Sequence, residues 1–176
     1  MVIKMKTIVV YQSTTGFTEQ YAKWIAEECN CETRNIKKIS GNDLSQYDRV
    51  IYGGWIMGNL IIGLDKIMKM NPKELVVFAV GSSPASEEIK DIIKEQNHLE
   101  SLPFFYFEGG FRFEKLSFPI RMMLKAIKKS VAKKKEKTEQ DEFMVEALGT
   151  SFDHSDRKFI EPLVSFFTHS STSFSE

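Results

Sequence analysis

Two cysteines and three histidines in 176 residues leave little material for disulfides, metal sites or histidine-based catalysis. Cys29 and Cys31 are separated by one residue, poor geometry for a disulfide and too few ligands for zinc, so they read as reduced thiols near a helix end. His98, His154 and His169 are scattered, and no Ser-His-Asp, Cys-His or metal-ligand spacing occurs. Long apolar runs are also missing. Pieces such as Leu75 to Val80 fall far short of the about 20 residues that a membrane-spanning helix needs. Met1 to Lys6 has two lysines ahead of an apolar strand and no long apolar leader or cleavage site, so a cytoplasmic address is expected. No internal repeat is present, and no nucleic-acid partner is expected.

The length suits one domain with a real core. It is expected to span residues 1–169, with a Ser-rich tail over 170–176. Apolar β-branched runs alternate with helical periodicities, the pattern of βαβ units around a parallel sheet. Five strands are predicted: Thr7 to Gln12, a polar edge strand near Thr33 to Ile36, Arg49 to Gly53, Leu75 to Val80, and Phe104 to Phe107. The first and third are too apolar to be half-solvated and read as central. Phe17, Tyr21, Trp24 and Ile25 give a first helix one apolar face. Leu64, Ile67 and Met68 mark a second helix, and Ile89, Ile92 and Ile93 a third. A last helix carries Phe159, Ile160, Leu163, Val164 and Phe167, with Ser155 as its predicted N-cap and Pro162 inside it.

The formal net charge of zero conceals a lopsided distribution. Arg112 to Lys137 holds ten Lys or Arg against two Glu, leaving fourteen cations and twenty-two acids elsewhere. Asymmetry on this scale bears on partners and orientation. A helix predicted from Phe118 to Lys135 gathers Ile120, Met123, Leu124, Ile127 and Val131 on one arc, with Arg121, Lys125, Lys128 and Lys129 beside it. A charged linker is expected over Lys133 to Glu142. The basic face is either a solvated surface or a docking surface.

Three segments fall just after strands and carry chemistry. Ser13, Thr14, Thr15, Gly16, Phe17 and Thr18 lie where the first strand becomes the first helix. There, free N–H groups, a positive helix end and hydroxyls converge on one point, which reads as a phosphate cradle or as a hydroxyl-rich helix start that binds nothing. No lysine follows the pattern of a nucleoside triphosphatase loop. Gly54, Trp55, Ile56, Met57, Gly58 and Asn59 form a predicted loop after the third strand. In an open sheet of order 2-1-3-4-5, that loop and the first flank the topological switch point. Trp55 and Met57 are either packing residues or ligand contacts. Gly81, Ser82 and Ser83 follow the fourth strand, offering hydrogen bonds or a plain helix-capping turn.

These segments resemble flavodoxins. Ser13, Thr14, Thr15, Gly16 and Thr18 match S-x-T-G-x-T, the family's grip on the phosphate of flavin mononucleotide (FMN), while Phe17 stands where Asn is common and removes one side-chain donor. Gly53, Met57 and Gly58 resemble the flavin-contacting loop, with Asn59 replacing an Asp; in the family, the peptide at this glycine turns over as the flavin is reduced. The segment from Gly81 lacks the aromatic residue that usually stacks there. The resemblance implies a doubly wound α/β fold with FMN as cofactor, and electron transfer or flavin-dependent oxidoreduction as the activity. The basic helical insertion after strand five, about residues 111–147, resembles the flavodoxin-domain branch of the menaquinone-dependent protoporphyrinogen oxidases. It implies a redox protein or quinone as partner and, through residues 118–135, peripheral contact with an anionic membrane. A quinone-linked oxidase of a tetrapyrrole precursor and a non-catalytic binding module are the alternatives.

Overall fold

Ile8 and Val10 point to one side of the first strand and Val9 and Tyr11 to the other, and all four are buried. A strand with no wet face must be covered on both sides, which calls for helices above and below a parallel sheet. The computed structural model describes residues 5–148 and 150–170. Along the chain it places β1 (Thr7–Gln12), α1 (Phe17–Cys29), β2 (Glu32–Asn35), α2 (Gly41–Leu44), β3 (Arg49–Met57), β4 (Leu60–Ile61), α3 (Leu64–Lys69), β5 (Leu75–Gly81), α4 (Glu87–Gln96) and β6 (Phe104–Glu108). The rest comprises β7 (Gly110–Phe111), α5 (Phe118–Ala132), α6 (Glu139–Ala147), β8 (Phe152–Asp153) and α7 (Glu161–Ser170).

The five main strands are parallel in the order β2-β1-β3-β5-β6, which is the predicted doubly wound order with the short hairpin strands left aside. α1 and α7 cover the face of Val9, Ile51 and Phe78, while α3 and α4 cover the face of Val10, Tyr52 and Val77. β2 has no fully buried residue, which accounts for its polar sequence at an edge. No helix among the described residues is long and apolar enough to cross a membrane.

Several sequence expectations are corrected. The last helix is not capped by Ser155, whose hydroxyl bonds the Asp153 carboxylate at 2.6 Å. Asp156 instead caps a 3₁₀ turn at Arg157–Ile160, accepting the Lys158 N–H at 2.9 Å. Pro162 is then the second residue of α7, where no intrahelical N–H is lost. The expected linker over Lys133 to Glu142 contains the start of α6, set by a capping box between Thr138 and Asp141 and tied to α5 by Lys134 and Asp141 at 2.9 Å. The predicted tail falls almost wholly on residues 171–176, outside those described.

The insertion also packs differently from the sequence expectation. α5 lies on α6. Its inward face is Arg121, Leu124, Lys128 and Val131, whereas Ile120, Met123 and Ile127 are exposed at 39%, 49% and 38%. A wheel groups apolar residues, but tertiary contact decides which of them are covered.

A narrow neck joins the insertion to the sheet. β7 pairs antiparallel with β8, and the His154 N–H donates to the Gly109 carbonyl at 2.9 Å. Behind the neck, the buried Tyr21 hydroxyl donates to the Glu108 carbonyl and accepts the Asp156 N–H at 3.2 Å. Tyr21→Phe keeps the ring contacts to Trp24 and Phe107 but leaves the Asp156 N–H without its acceptor. The expected loss is about 1 to 3 kcal/mol, read as a lower urea midpoint. Burial also pushes the Tyr21 hydroxyl from 10.0 up to about 12, and raises Tyr52 and Tyr106 by the same cause. A raised folded value contributes stability that is complete below pH 10 and is lost as pH rises through about 12, so alkaline unfolding is expected to set in across that window.

Candidate functional site

The strand order reverses between β1 and β3, so the ends of these strands open a crevice at the C-terminal edge of the sheet. β1 enters it beside β3, with Gln12 opposite Gly54, while Trp55 lies opposite Val80 and Gly81 opposite Glu108. This register brings the Ser13 loop, Gly54 and Trp55, and the Gly81 loop to one edge.

The first loop is built by a glycine. Gly16 has φ +100°, a left-handed conformation that an L side chain adopts only with strain, and it starts α1 without a side-chain cap. The N–H groups of the first turn are therefore left to a ligand or water, at the positive end of the helix dipole. Ser13 Oγ accepts the Gly16 N–H at 3.1 Å, which folds the loop back and still leaves the hydroxyl proton to donate. Thr14 and Thr15 lie within the loop, while Thr18 and Phe17 are buried at 1% and 4% exposure. Phe17 thus offers the site its backbone, with its ring in the apolar layer. Glu19, the one acid of this first turn, pairs down the helix with Lys23 at 2.7 Å. Its carboxyl is held below the ordinary range by that Lys23 contact. An open helix start in a hydroxyl-bearing loop, with its one first-turn acid paired to Lys23, fits a phosphate monoester.

The second segment is not a loop over most of its length. β3 continues to Met57, so Gly54, Trp55 and Ile56 are strand residues. The chain reverses at Gly58 and Asn59, with φ +58° and +64°, and returns as β4. Two consecutive left-handed residues make the tight turn whose twist matches a hairpin. Asn97 holds this hairpin from the end of α4: its Oδ1 accepts the Ile61 N–H at 2.9 Å and its Nδ2 donates to the Asn59 carbonyl at 2.8 Å. Met57 at the tip is 53% exposed. The unbroken apolar run Trp55-Ile56-Met57 was the missed strand signal, and Gly58-Asn59 the missed turn signal.

The third segment keeps its two serines out of helix capping. Ser86 caps α4 by accepting the Ile89 N–H at 3.2 Å. The path of Ser82 and Ser83 is set instead by the Tyr106 hydroxyl, which donates to the Ser83 carbonyl at 2.6 Å, and by Glu108, whose carboxylate accepts the Ala85 N–H at 2.7 Å.

Sequence reading missed a fourth contributor. The neck threads past the first loop, since a Cβ on Gly109 would lie 3.6 Å from Phe17 Cβ. Arg112 then reaches back, its Nη1 donating to the Thr15 carbonyl at 2.8 Å. The Gly-Gly pair directly after a strand was the available signal, because it permits a close backbone approach.

The flavodoxin domain family model matches residues 8–139, from β1 to the first residue of α6. An uncharacterized protein of Methanocaldococcus jannaschii is 31% identical over 102 residues, covering 52% of this chain and 68% of that protein. Among solved structures, a flavodoxin from the domain Archaea is similar at 21% identity and a TM-score of 0.41, covering 59% of this chain and 83% of that chain. A flavoprotein in complex with FMN from Lactobacillus acidophilus is similar at 16% identity and a TM-score of 0.41, with 59% and 92% covered.

A substitution checks the hairpin geometry. A Cβ on Gly58 meets nothing within 4 Å, so the cost of Gly58→Val is that of the left-handed backbone alone, about 1 to 2 kcal/mol in chemical denaturation. Gly58→Asn, a residue tolerant of that conformation, is expected to cost only a small part of this.

Proposed function

The chain belongs to the flavodoxin domain family, and on that premise we propose that it binds FMN at the C-terminal edge of its sheet and serves as an electron-transfer protein or flavin-dependent oxidoreductase. The observation that carries this reading is the uncapped, glycine-initiated start of α1 within a loop of hydroxyls. When bound, the flavin supplies reversible transfer of one or two electrons, and the protein supplies binding and orientation. The hydroxyls of Ser13, Thr14 and Thr15 and the N–H groups of Phe17 and Thr18 are the phosphate ligands of this proposal, with Gly16 making the turn that exposes them. Gly54 to Asn59 along the β3–β4 hairpin, and Gly81 to Ser83, are its ring-side residues. FMN is therefore expected to bind far more tightly than riboflavin in fluorescence quenching. Ser13→Ala with Thr15→Ala is expected to weaken FMN binding by about 1 to 3 kcal/mol. Equal affinities for FMN and riboflavin would overturn the phosphate loop, and weak binding of both would favour the non-catalytic binding module instead.

The electron partner in this reading is met at an anionic lipid surface. Between Lys115 and Lys135 the chain has eight Lys or Arg and no Asp or Glu. The outward side of α5 combines Phe118, Met122 and Met123, exposed at 67%, 49% and 49%, with flanking Lys125 and Lys129. A bare apolar strip edged by cations has the chemistry of a helix lying in the headgroup region. Each cation near an anionic leaflet contributes about 1 kcal/mol. A quinone dissolved in the bilayer is the partner such docking brings within reach, and quinone-linked oxidation of a tetrapyrrole precursor is the second reading favoured by the same strip. The protein is expected to sediment with phosphatidylglycerol vesicles at low salt and to be released as salt rises, with little binding to neutral vesicles. Lys125→Glu/Lys129→Glu, on the outward side, is expected to abolish sedimentation. No binding to anionic vesicles at low salt would leave an acidic redox protein as the occupant of this face.

A further inference from the structure

The phosphate loop has a departure and a visitor, and the two belong together. Phe17 stands at the position where the S-x-T-G-x-T resemblance leads one to expect an amide donor. The Arg112 guanidinium carbon lies 4.2 Å from the centroid of the Phe17 ring. Nη1 of the same side chain donates to the Thr15 carbonyl at 2.8 Å, and Nη2 is 3.5 Å from the Asp153 carboxylate across the neck. Nη1 also lies 3.0 Å from where a Cβ on Gly16 would stand. An aromatic face, a carbonyl and a carboxylate thus fix one arginine against residues 15–17 from three sides. A planar guanidinium suits this, since it stacks and donates together where an ammonium cannot.

Asp153 balances Arg112 in formal charge, and its bonds from the Ser155 N–H at 2.9 Å and the Ser155 hydroxyl at 2.6 Å leave that charge in place. The cation is the member of the pair that touches the loop, through Nη1 on the Thr15 carbonyl at 2.8 Å, while the carboxylate meets Nη2 at 3.5 Å. The guanidinium therefore stands at the same loop as the positive helix terminus.

We propose that Arg112, reaching the phosphate loop from the neck of the insertion, is the residue that makes this site selective for a dianionic phosphate on its flavin. It acts as a positioning residue: it holds the Thr15–Gly16 turn from behind and supplies charge where the family pattern supplies a neutral side chain at position 17. The inference rests on the FMN reading above and goes beyond it. Phosphate recognition in this chain depends on a residue far along the sequence from the loop itself.

The test compares wild type, Arg112→Met and Arg112→Lys by fluorescence quenching with FMN and with riboflavin, at rising salt and from pH 5 to pH 7.5. Folding is checked by circular dichroism. Arg112→Met is expected to weaken FMN about tenfold or more while leaving riboflavin unchanged, and to flatten the salt dependence of FMN binding. Arg112→Lys, which keeps the charge but cannot stack and donate together, is expected to recover part of the FMN affinity and to retain its salt dependence. The phosphate loses its second proton near pH 6, so wild-type affinity is expected to rise through that region and the Met variant to follow it weakly. A purely structural role would weaken FMN and riboflavin alike and leave the pH response intact, and that result overturns the proposal. Undiminished FMN preference in Arg112→Met also overturns it while sparing the FMN reading. A wild type that does not distinguish FMN from riboflavin overturns that reading first and this inference with it. If Arg112→Met does not fold, wild type and Arg112→Lys decide the matter, since salt-independent FMN binding in both excludes a charge role.

Discussion

A single buried oxygen decides how this chain carries both a regular sheet and a large excursion from it. The Tyr21 hydroxyl donates to the carbonyl of Glu108, where the last sheet strand ends, and accepts the N–H of Asp156, where the chain returns toward α7. Residues 109–155 lie between those two points. With their ends held together, the length of the excursion adds little to the entropy already spent on closure. β5 and β6 accordingly keep an unbroken register to Glu108, and α7 packs on the same face as α1. That hydroxyl is supported by a stack of buried rings, Tyr21 on Phe107 and Phe107 on Phe78, so the neck is anchored in the core.

The neck also changes the electrostatics of the site beside it. A helix start that recognises an anion through neutral donors alone is limited to partial charges. Here the same strand pair that closes the excursion delivers a guanidinium to the Thr15 carbonyl. Phe17 illustrates how one residue serves two layers of the structure. Its ring fills the α1 face of the core and gives Arg112 a surface to stack on.

The sheet order and the positions of the main helices were legible in the sequence because each central strand is apolar on both faces and each main helix has one apolar stripe. The Ser13 to Thr18 loop was legible for the same local reason, since hydroxyls, a glycine and the start of a periodic helix occur in a few consecutive residues. What escaped notice was non-local. The pairing of Gly110–Phe111 with Phe152–Asp153 joins two-residue strands too short for any periodicity to register. Arg112 contacts Thr15 across 97 positions. The exposure of Met123 and Ile127 follows from α6 covering another side of α5, which a helical wheel drawn on α5 alone does not contain. Ser155 gave way to Asp156 as a cap because a carboxylate one residue later can reach Lys158 while the serine hydroxyl is taken by Asp153.

The uneven placement of charge has a consequence at distances where no side chain yet touches anything. A body with zero net charge feels no net pull in a uniform field, yet one with an excess of cations in a single arm and an excess of acids over the rest experiences a torque. Salt confines that torque to roughly the last 8 Å of an approach at physiological ionic strength. Within that shell a body with such a dipole is turned with its cationic end toward a negatively charged surface. The arm leaves the body at the C-terminal end of β6, whose last residue pairs with Gly81 at the edge of the sheet.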